Sequence, residues 1–425
     1  MKKIINVNKN NWLRLSQRPT IRQKDLNKLV NKIFVEVKKD GDEALKKYSI
    51  LFDKAELNSF AVSNNIIKNA SKNISKNLKE AIQLAKKNIE IFHVSQKEKI
   101  KIIETTKGVN CWRENRAIEK IGIYIPGGTA PLFSTVLMLG IPAKLAGCKE
   151  IILCTPPNKN GEINPAILYT ADLVGITSIN KIGGIQAIAA MTFGTETIPK
   201  VFKIFGPGNQ FVTAAKQLAQ NFGVAIDLPA GPSEILILAD KTCNPTFVAA
   251  DLLSQAEHGE DSQVILLSDD EIIIDNILFE LNKQIKYLPR KTIAQKSLNK
   301  SKTIVFKNIK ECIEFSNFYA PEHLILATKN PKLLIPEIIN AGSVFLGNYS
   351  CESAGDYASG TNHTLPTNGY ARNYSGVSLD SFVKKITFQE ITKNGIQNIG
   401  PAIELMAEAE NLFAHKNAVS LRLNK

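Results

Sequence analysis

Between residues 120 and 240, short runs of β-branched and other apolar residues alternate with longer segments of helical periodicity. IGIYIPGG predicts a strand that ends in a glycine turn, and APLFSTVLMLGIPAKLAGC predicts the helix after it. EIILCTPP, SINKIGG, VFKIFGPG and VAIDLPAG are further segments in which a strand is followed by a turn. This alternation predicts parallel strands with helices on both faces of the sheet.

A second alternation begins near residue 234. SEILILAD and QVILLSDD predict strands, and NPTFVAADLLSQAEHG predicts a helix with an N-cap at Asn244. Residues 20–105 and the last ~25 residues have helical periodicity. We therefore predict an α/β fold: two Rossmann-like but incomplete parallel-sheet domains with helices on both faces, plus small N-terminal and C-terminal helical segments.

The dinucleotide-binding fingerprint G-x-G-x-x-G is missing. GPGNQF begins as G-x-G but lacks the third glycine, and IPGGTAPLF does not match either. Glycine turns after strands can still present backbone N–H groups to a pyrophosphate at the start of a helix. The pattern alone is therefore a weak indication of nucleotide binding.

The chain of 425 residues carries a formal net charge of +13, which raises the question of nucleic-acid binding. Its lysines are spread along helices such as NLKEAIQLAKKNIE, and no arginine-rich block or basic-aromatic RNA motif is present. Solvated lysine faces explain the charge more simply. We expect no nucleic-acid partner, although a basic surface attracts anionic cofactors.

Nothing in the sequence indicates export or membrane insertion. The N-terminus MKKIINVNKNNWLRL lacks the apolar stretch of a signal peptide, and no apolar run approaches the ~18–20 residues that span a bilayer. The six cysteines form no CxxC pair, so reduced thiols are the default. We expect a cytoplasmic protein with no membrane partner.

Histidine is scarce, with five in the chain, and four of the five have acidic or amide neighbours. In SQAEHGED, Gln255 and His258 are three residues apart near the end of a predicted helix, which places them on one face. They could share a metal ion. The alternative is a polar surface residue followed by a histidine that interacts favourably with the helix C-terminus.

Three further segments contain candidate chemistry. In YAPEHLIL, the adjacent Glu322 and His323 could form a pair for proton transfer, or simply a surface dipeptide. SAGDYASGTNHT predicts a loop of small polar residues that carries Asp356, a hard oxygen ligand suited to zinc. Glu410 and His415 in AEAENLFAHKNAV are five residues apart, about 140° out of alignment on an ideal helix, so one site could use both only across a bend or near a helix end.

Taken together, these segments resemble the histidinol dehydrogenase family. YIPGGTAPLFSTVLMLGIPAKLAGC, KIFGPGNQFVTAAK, DLPAGPSEILILAD, DLLSQAEHG, APEHL, SAGDYASGTNHTLPT and AHKNAVSLRL are similar to that family's blocks, in the same order. The resemblance implies oxidation of L-histidinol through L-histidinaldehyde to L-histidine, the last steps of histidine biosynthesis. It also implies two NAD⁺ per turnover and one zinc ion per subunit.

The resemblance implies a role for particular residues, by motif position. The implied zinc ligands are Gln255, His258, Asp356 and His415. The implied catalytic pair is Glu322 and His323. Residues implied to contact the substrate are Ser233, Gln255, His258, His323, Asp356, Glu410 and His415. The residues implied to bind NAD⁺ are Tyr124, Gln186 and Asn209. His363 lies in the same block as Asp356 and is expected to have a supporting place.

The resemblance also implies a homodimer in which the C-terminal segment crosses to the partner, so that Glu410 and His415 serve the neighbouring site. The expected organisation is an N-terminal arm (1–20), a first α/β domain with the zinc and catalytic residues (21–122 with 235–377), a second, NAD-binding α/β domain (123–234), and a C-terminal segment (378–425) exchanged in the dimer.

These residue types suit the implied chemistry. Zinc is redox-inert, so the hydride must pass to NAD⁺. A neutral His323 can take the alcohol proton, and Glu322 can activate the water that hydrates the aldehyde. Two other functions stay open at this point. One is a zinc hydrolase with Glu322 as base, against which stands the absence of HExxH, and the other is a non-enzymatic RNA-binding protein suggested only by charge.

Overall fold

The computed structural model of the chain describes residues 1–5, 7–19, 23–127, 130–229 and 231–423. For Gln23, Lys24 and Asp25, only the backbone is described. The fold has two fully parallel sheets and a small, separate antiparallel sheet. Among the described helices, none combines the length and apolar character needed to cross a bilayer.

The larger sheet has six parallel strands. In spatial order they are β1 (Lys2–Ile5), β11 (Lys302–Val305), β10 (Gln263–Ser268), β9 (Glu234–Ala239), β12 (His323–Ala327) and β13 (Ser343–Leu346). Strands β9 and β10 are completely buried, which explains their continuous apolar runs. One face packs against α9 (Pro245–Ala256), α10 (Glu271–Gln284) and α11 (Lys291–Lys300), and the other against α1 (Trp12–Leu15) and α12 (Ile309–Tyr319).

The second sheet has five parallel strands. In spatial order they are β6 (Ser178–Lys181), β5 (Glu150–Thr155), β4 (Lys120–Tyr124), β7 (Lys203–Phe205) and β8 (Ala225–Ile226). One face packs against α2 (Gln23–Tyr48), α7 (Gly184–Phe193) and α8 (Gln210–Ala219), and the other against α3 (Asn64–Ala70), α4 (Lys76–Val94), α5 (Phe133–Ala146) and α6 (Pro165–Val174). The prediction of two parallel sheets with helices on both faces is confirmed, and so is the N-cap at Asn244, which accepts a hydrogen bond from Thr246.

The packing of the N-terminal helices differs from the predicted grouping of residues 21–122 with 235–377. Helices α2 and α4 pack against the five-stranded sheet, not the six-stranded one. Their amphipathic pattern shows that one face is buried but carries no information about which sheet covers it. The exact division into domains stays a prediction.

The predicted helical periodicity of the last ~25 residues is confirmed, and a strand precedes the helices within the C-terminal segment 378–425. Strand β14 (Val383–Ile391) pairs antiparallel with β3 (Val109–Ala117), which also pairs with β2 (Ile103–Thr106). Helices α14 (Lys393–Ala409) and α15 (Phe413–Leu423) follow and pack against each other. Four of the nine residues of β14 are lysine, glutamine or glutamate, and six are exposed, so its strand pattern is weak in the sequence.

Candidate active site

The predicted catalytic pair lies at the amino end of β12, between β9 and the edge strand β13 of the six-stranded sheet. Glu322 and His323 are 6% and 4% exposed, so they are buried groups and not a surface dipeptide. The neighbouring strand β9 begins at Glu234 and holds both of them through its backbone. The Glu234 N–H donates to Glu322 Oε2 at 2.8 Å, and the Glu234 carbonyl lies 3.1 Å from His323 Nδ1.

This contact sets the tautomer of His323. Because a carbonyl can only accept, Nδ1 carries the proton and donates to the Glu234 carbonyl. In the neutral ring, the lone pair is then on Nε2. That atom is buried and has no hydrogen-bond partner among the described residues, and its neighbour Asp356 Oδ1 lies 3.6 Å away. The free nitrogen is therefore aimed at the candidate metal ligand.

Asp356 lies on a short helix, α13 (Glu352–Tyr357), which corrects the predicted loop. Six residues with a central glycine are too few to give a periodic signal. The same helix carries Glu352, which is 1% exposed, lies 3.4 Å from His323 Nδ1, and accepts a hydrogen bond from Ser254. Ligand atoms of His323, Glu352 and Asp356 all lie within 4.8 Å of one another, close enough to hold a metal ion.

The charges of this cluster are unbalanced. Burial raises the pKa of Glu322 and of Glu352 to about 8. Burial alone would lower the pKa of His323, but the surrounding carboxylates outweigh it and hold that pKa well above its usual value. The imidazoles nearby likewise keep the pKa of Asp356 below normal, against the effect of burial. Three carboxyl groups around one buried imidazole form a site that a divalent cation would stabilise.

Helix α9 contributes the next two predicted ligands. It runs back from β9 toward β10, so its C-terminal end lies at the amino edge of the sheet, beside the cluster. Gln255 is fully buried, and both of its amide atoms lack hydrogen-bond partners among the described residues. Leaving a buried amide unpaired costs roughly 1–3 kcal/mol per group, so these atoms suit a ligand. His258 interacts electrostatically with Asp356. Its side chain is exposed in a single chain, but desolvation by the surrounding protein atoms lowers its pKa, which favours the neutral form that binds metals.

His363 connects this cluster to the other sheet. Its Nδ1 donates to the Asp356 carbonyl at 2.8 Å, and its Nε2 accepts from the Thr135 hydroxyl at 2.9 Å. Thr135 lies in the first turn of α5, which follows the carboxyl end of β4. The carboxyl edge of the five-stranded sheet therefore approaches the amino edge of the six-stranded sheet at this point.

Within a single chain, the C-terminal candidates Glu410 and His415 are not part of this buried cluster. Glu410 and His415 are exposed, and neither belongs to the cluster of possible metal ligands found among the described residues. Helix α14 ends at Ala409, Asn411 adopts a left-handed conformation with φ of 58°, and α15 begins at Phe413. The bend that the spacing of Glu410 and His415 required is thus present. Ser233, by contrast, directly precedes β9 at the edge where the cluster lies.

The three predicted NAD-binding residues line one cavity of about 1190 Å³. Tyr124 is the last residue of β4, Gln186 lies in the first turn of α7, and Asn209 caps α8. The Gly184 N–H donates to the Tyr124 hydroxyl at 3.1 Å. These positions are at the carboxyl edge of the five-stranded sheet, where parallel sheets commonly bind nucleotides.

The structure adds two residues that the sequence analysis did not single out. Asp53 lines the cavity at the end of a π-helical turn, Ser49–Asp53, and burial raises its pKa to about 6. Glu352 joins the catalytic cluster. Glu352 precedes Asp356 by four residues, so a helical interpretation of ESAGDY would have placed both on one face. For Asp53, no local sequence signal was available.

Comparison with known proteins places this chain beside members of one enzyme family. The family model for histidinol dehydrogenase matches residues 16–423. Histidinol dehydrogenase of Bacteroides fragilis is 58% identical over 425 residues, covering 100% of this chain and 99% of the relative. That of Escherichia coli is 51% identical over 413 residues, covering 96% and 94%. The crystal structure of histidinol dehydrogenase from Elizabethkingia anophelis is 66% identical, covers 100% and 98%, and has a TM-score of 0.97.

Proposed function

The chain belongs to the histidinol dehydrogenase family, and we propose that it oxidises L-histidinol to L-histidine through L-histidinaldehyde, reducing two NAD⁺ per turnover. The observation that carries this proposal is the buried cluster at the amino end of β12. It brings a histidine with a free Nε2, an adjacent carboxyl group and metal-type ligands within a few ångströms. Those are the groups that a metal-assisted alcohol and aldehyde oxidation needs.

We assign a zinc ion to Gln255, His258 and Asp356, with His415 of a second copy as the fourth ligand. The donor set fits the metal: an unpaired buried amide, an imidazole whose pKa is lowered by desolvation, and a carboxylate held ionised by its imidazole neighbours. The excess of buried carboxyl groups also favours a cation. Bound zinc would act as a Lewis acid and orient the imidazole and amine of the substrate.

In the first oxidation, His323 is the base. Its Nδ1–H is fixed on the Glu234 carbonyl, so Nε2 takes the hydroxyl proton of L-histidinol as hydride leaves the carbinol carbon for NAD⁺. The pKa of His323 falls toward neutrality when a divalent cation shares the neighbouring carboxylates. The ring is then available as a base near pH 7–8.

In the second oxidation, Glu322 and His323 act in turn. Glu322 takes a proton from water as the water oxygen bonds to the aldehyde carbon, and His323 returns the proton from the first oxidation to the aldehyde oxygen, which gives the hydrate and leaves His323 neutral. A pKa of about 8 makes Glu322 basic enough for this step. His323 then takes a hydroxyl proton of the hydrate as the second hydride leaves, and L-histidine results. Burial of both groups keeps bulk water away from the reactive aldehyde.

We place NAD⁺ in the cavity lined by Tyr124, Gln186 and Asn209, and its nicotinamide supplies the hydride acceptor. The contact between His363 and Thr135 supports this placement, because it links the carboxyl edge of the five-stranded sheet to the metal cluster. The second α/β domain (123–234) would then bind the nucleotide, and the first would carry the chemistry.

We further propose a homodimer in which the C-terminal segment, 378–425, completes the site of the other copy. The exposure of Glu410 and His415 in a single chain supports this arrangement. So do the exposed apolar side chains of Leu405, Met406 and Phe413 on the same segment. A cytoplasmic location is consistent with six cysteines that are all free.

Stoichiometry tests the proposed reaction. Purified enzyme is stripped of metal with a chelator, reloaded with zinc and given a limiting amount of L-histidinol with excess NAD⁺. We expect two NADH and one L-histidine for each histidinol, no turnover in the stripped enzyme, and recovery on reloading. Zinc-loaded enzyme that produced no NADH but hydrolysed ester or amide substrates would overturn the proposal in favour of a hydrolase.

A further inference from the structure

Glu234 is the residue on which both catalytic groups depend for their position. Its N–H binds Glu322 Oε2 and its carbonyl binds His323 Nδ1, at 2.8 and 3.1 Å. Glu234 thus positions the carboxyl group of Glu322 and sets the tautomer of His323. Glu234 is the first residue of β9, paired with Gln263 of β10, and on its N-terminal side the Ser233 carbonyl accepts from the Gln263 N–H at 3.2 Å where the preceding loop ends.

The side chain of Glu234 is fixed by the N-terminal arm. Arg18 donates to it from Nε at 2.5 Å and from Nη2 at 2.9 Å, a bidentate pair in which both side chains are buried. The guanidinium also lies over the ring of Tyr319, 3.9 Å from its centroid, and donates to the Tyr319 carbonyl. The Asn368 N–H donates to Glu234 Oε1 at 2.7 Å, which ties in the segment that follows His363.

We propose that Arg18 is a positioning residue for the reaction: by clamping the Glu234 side chain, it holds the first peptide units of β9 where they orient Glu322 and His323. This inference rests on the catalytic roles proposed above for those two residues. Arg18 contacts neither of them in this structure, so its influence passes through Glu234.

Attachment of the arm does not require Arg18. Trp12 packs edge-on against Phe315, with ring centroids 5.4 Å apart, and is 7% exposed. Lys302 Nζ donates to the Leu15 and Gln17 carbonyls at 2.6 and 3.2 Å. Since buried ion pairs seldom add net stability, a bidentate pair at this position is better explained by the geometry that it fixes.

The test compares two arm contacts of which only one reaches Glu234. Arg18→Gln removes the clamp, and Lys302→Met loosens the same arm without touching Glu234. We expect Arg18→Gln to lower kcat for histidinol about 10- to 100-fold, the scale of a small misplacement of reacting groups, with KM and zinc content within threefold of the unsubstituted enzyme. Lys302→Met should keep kcat even where its Tm falls. Arg18→Lys, which retains a charge for Glu234, should recover part of the lost kcat.

A double variant controls for misfolding of Arg18→Gln. Arg18→Gln with Glu234→Gln removes both charges, so neither is left buried and unpaired, and it should fold while keeping the kcat defect. Equal losses of kcat in Arg18→Gln and Lys302→Met would overturn the inference, because arm docking alone would then explain both. His323→Ala is assayed beside them. If His323→Ala kept full kcat, both the catalytic assignment and the inference would be overturned. If His323→Ala lost activity while Arg18→Gln kept full kcat, the inference alone would be overturned.

Discussion

The two parallel sheets carry very different sites at opposite edges. At the amino edge of the six-stranded sheet, Glu322, His323 and Glu352 are almost completely buried, and their charges are packed within a few ångströms. At the carboxyl edge of the five-stranded sheet lies a cavity of about 1190 Å³, whose predicted nucleotide-binding residues are neutral: a tyrosine, a glutamine and an asparagine. One site concentrates charge, and the other offers space.

The difference follows from what each site must do in the proposed reaction. A metal and a general base stay in place through both oxidations, so burial and fixed hydrogen bonds improve their orientation without any cost in turnover. NAD⁺ must enter and leave twice per turnover. A large, mainly neutral cavity permits exchange, whereas a tightly charged one would slow release.

The largest expected effect comes from removing the base in the buried site. His323→Ala should lower kcat for histidinol about 10²- to 10⁴-fold, the usual contribution of a general base, while zinc is retained. Steady-state kinetics and metal analysis by mass spectrometry measure the two quantities. Thr328→Ala, a buried hydroxyl just beyond the end of the same strand, is the control and should keep its activity. Loss of zinc in His323→Ala would mean that His323 is a metal ligand and not the base.

The next-largest effect is expected from mixing two variant chains, which tests whether the buried site is complete within one chain. His415→Ala and Glu322→Gln chains, each strongly impaired alone in forming L-histidine, are co-expressed, and L-histidine formation is measured. If the C-terminal segment is exchanged, each mixed dimer has one intact site, and random mixing should restore roughly a quarter of full activity. Asp356→Asn mixed with Glu322→Gln is the control, because both changes lie in the body of the chain and every site stays defective. No rescue in the first mixture would argue that His415 serves no neighbouring site.

The sequence predicted the two sheets well because parallel strands buried on both faces leave continuous apolar runs, as in β9 and β10. The site residues at strand and helix ends could also be picked out from the sequence, because Gln255, His258, Glu322 and His323 lie next to turn signals. Their assigned roles came from the resemblance to a family and stay predictions.

Other features could not be predicted because they depend on contacts between segments distant in the chain. Asp53 reaches the cavity only through the packing of α2 and the π-helical turn on the five-stranded sheet. Arg18 and Glu234 are separated by 216 residues, and although Glu234 follows Ser233 in the segment DLPAGPSEILILAD, nothing in the sequence pairs it with Arg18. The partner of β14 is likewise set by the tertiary fold, since a strand with six exposed positions carries little apolar signal.

A smaller effect should separate the two oxidations within the buried site. Glu322→Gln keeps an oxygen for the Glu234 N–H but cannot take a proton from water. We expect aldehyde oxidation to slow about 100-fold and alcohol oxidation to slow much less, because only the aldehyde step needs the hydrate. Single-turnover assays with histidinol and with histidinaldehyde measure each step separately. Equal slowing with both substrates would assign Glu322 to orienting His323 and not to activating water.

The smallest effect concerns the one carboxyl group singled out in the cavity. Burial raises the pKa of Asp53 to about 6, so the folded protein carries an unfavourably placed charge above that pH. The unfolded chain has lost its proton already at about pH 4. Asp53 therefore contributes stability at acid pH that is lost as the pH rises from about 4 through 6.

Asp53→Asn should accordingly raise Tm by a few degrees at pH 7.5 and give no gain near pH 4, as measured by calorimetry across that range. Asp172→Asn, an exposed aspartate on α6, is the matched control and should show no such pH-dependent gain. In the buried cluster, a neutralised carboxyl group instead removes a partner of His323 or of the metal, so no gain is expected there. A Tm for Asp53→Asn that fell at pH 7.5 would show that the ionised carboxylate has a stabilising partner, and the contrast between a charged site and a neutral cavity would then fail.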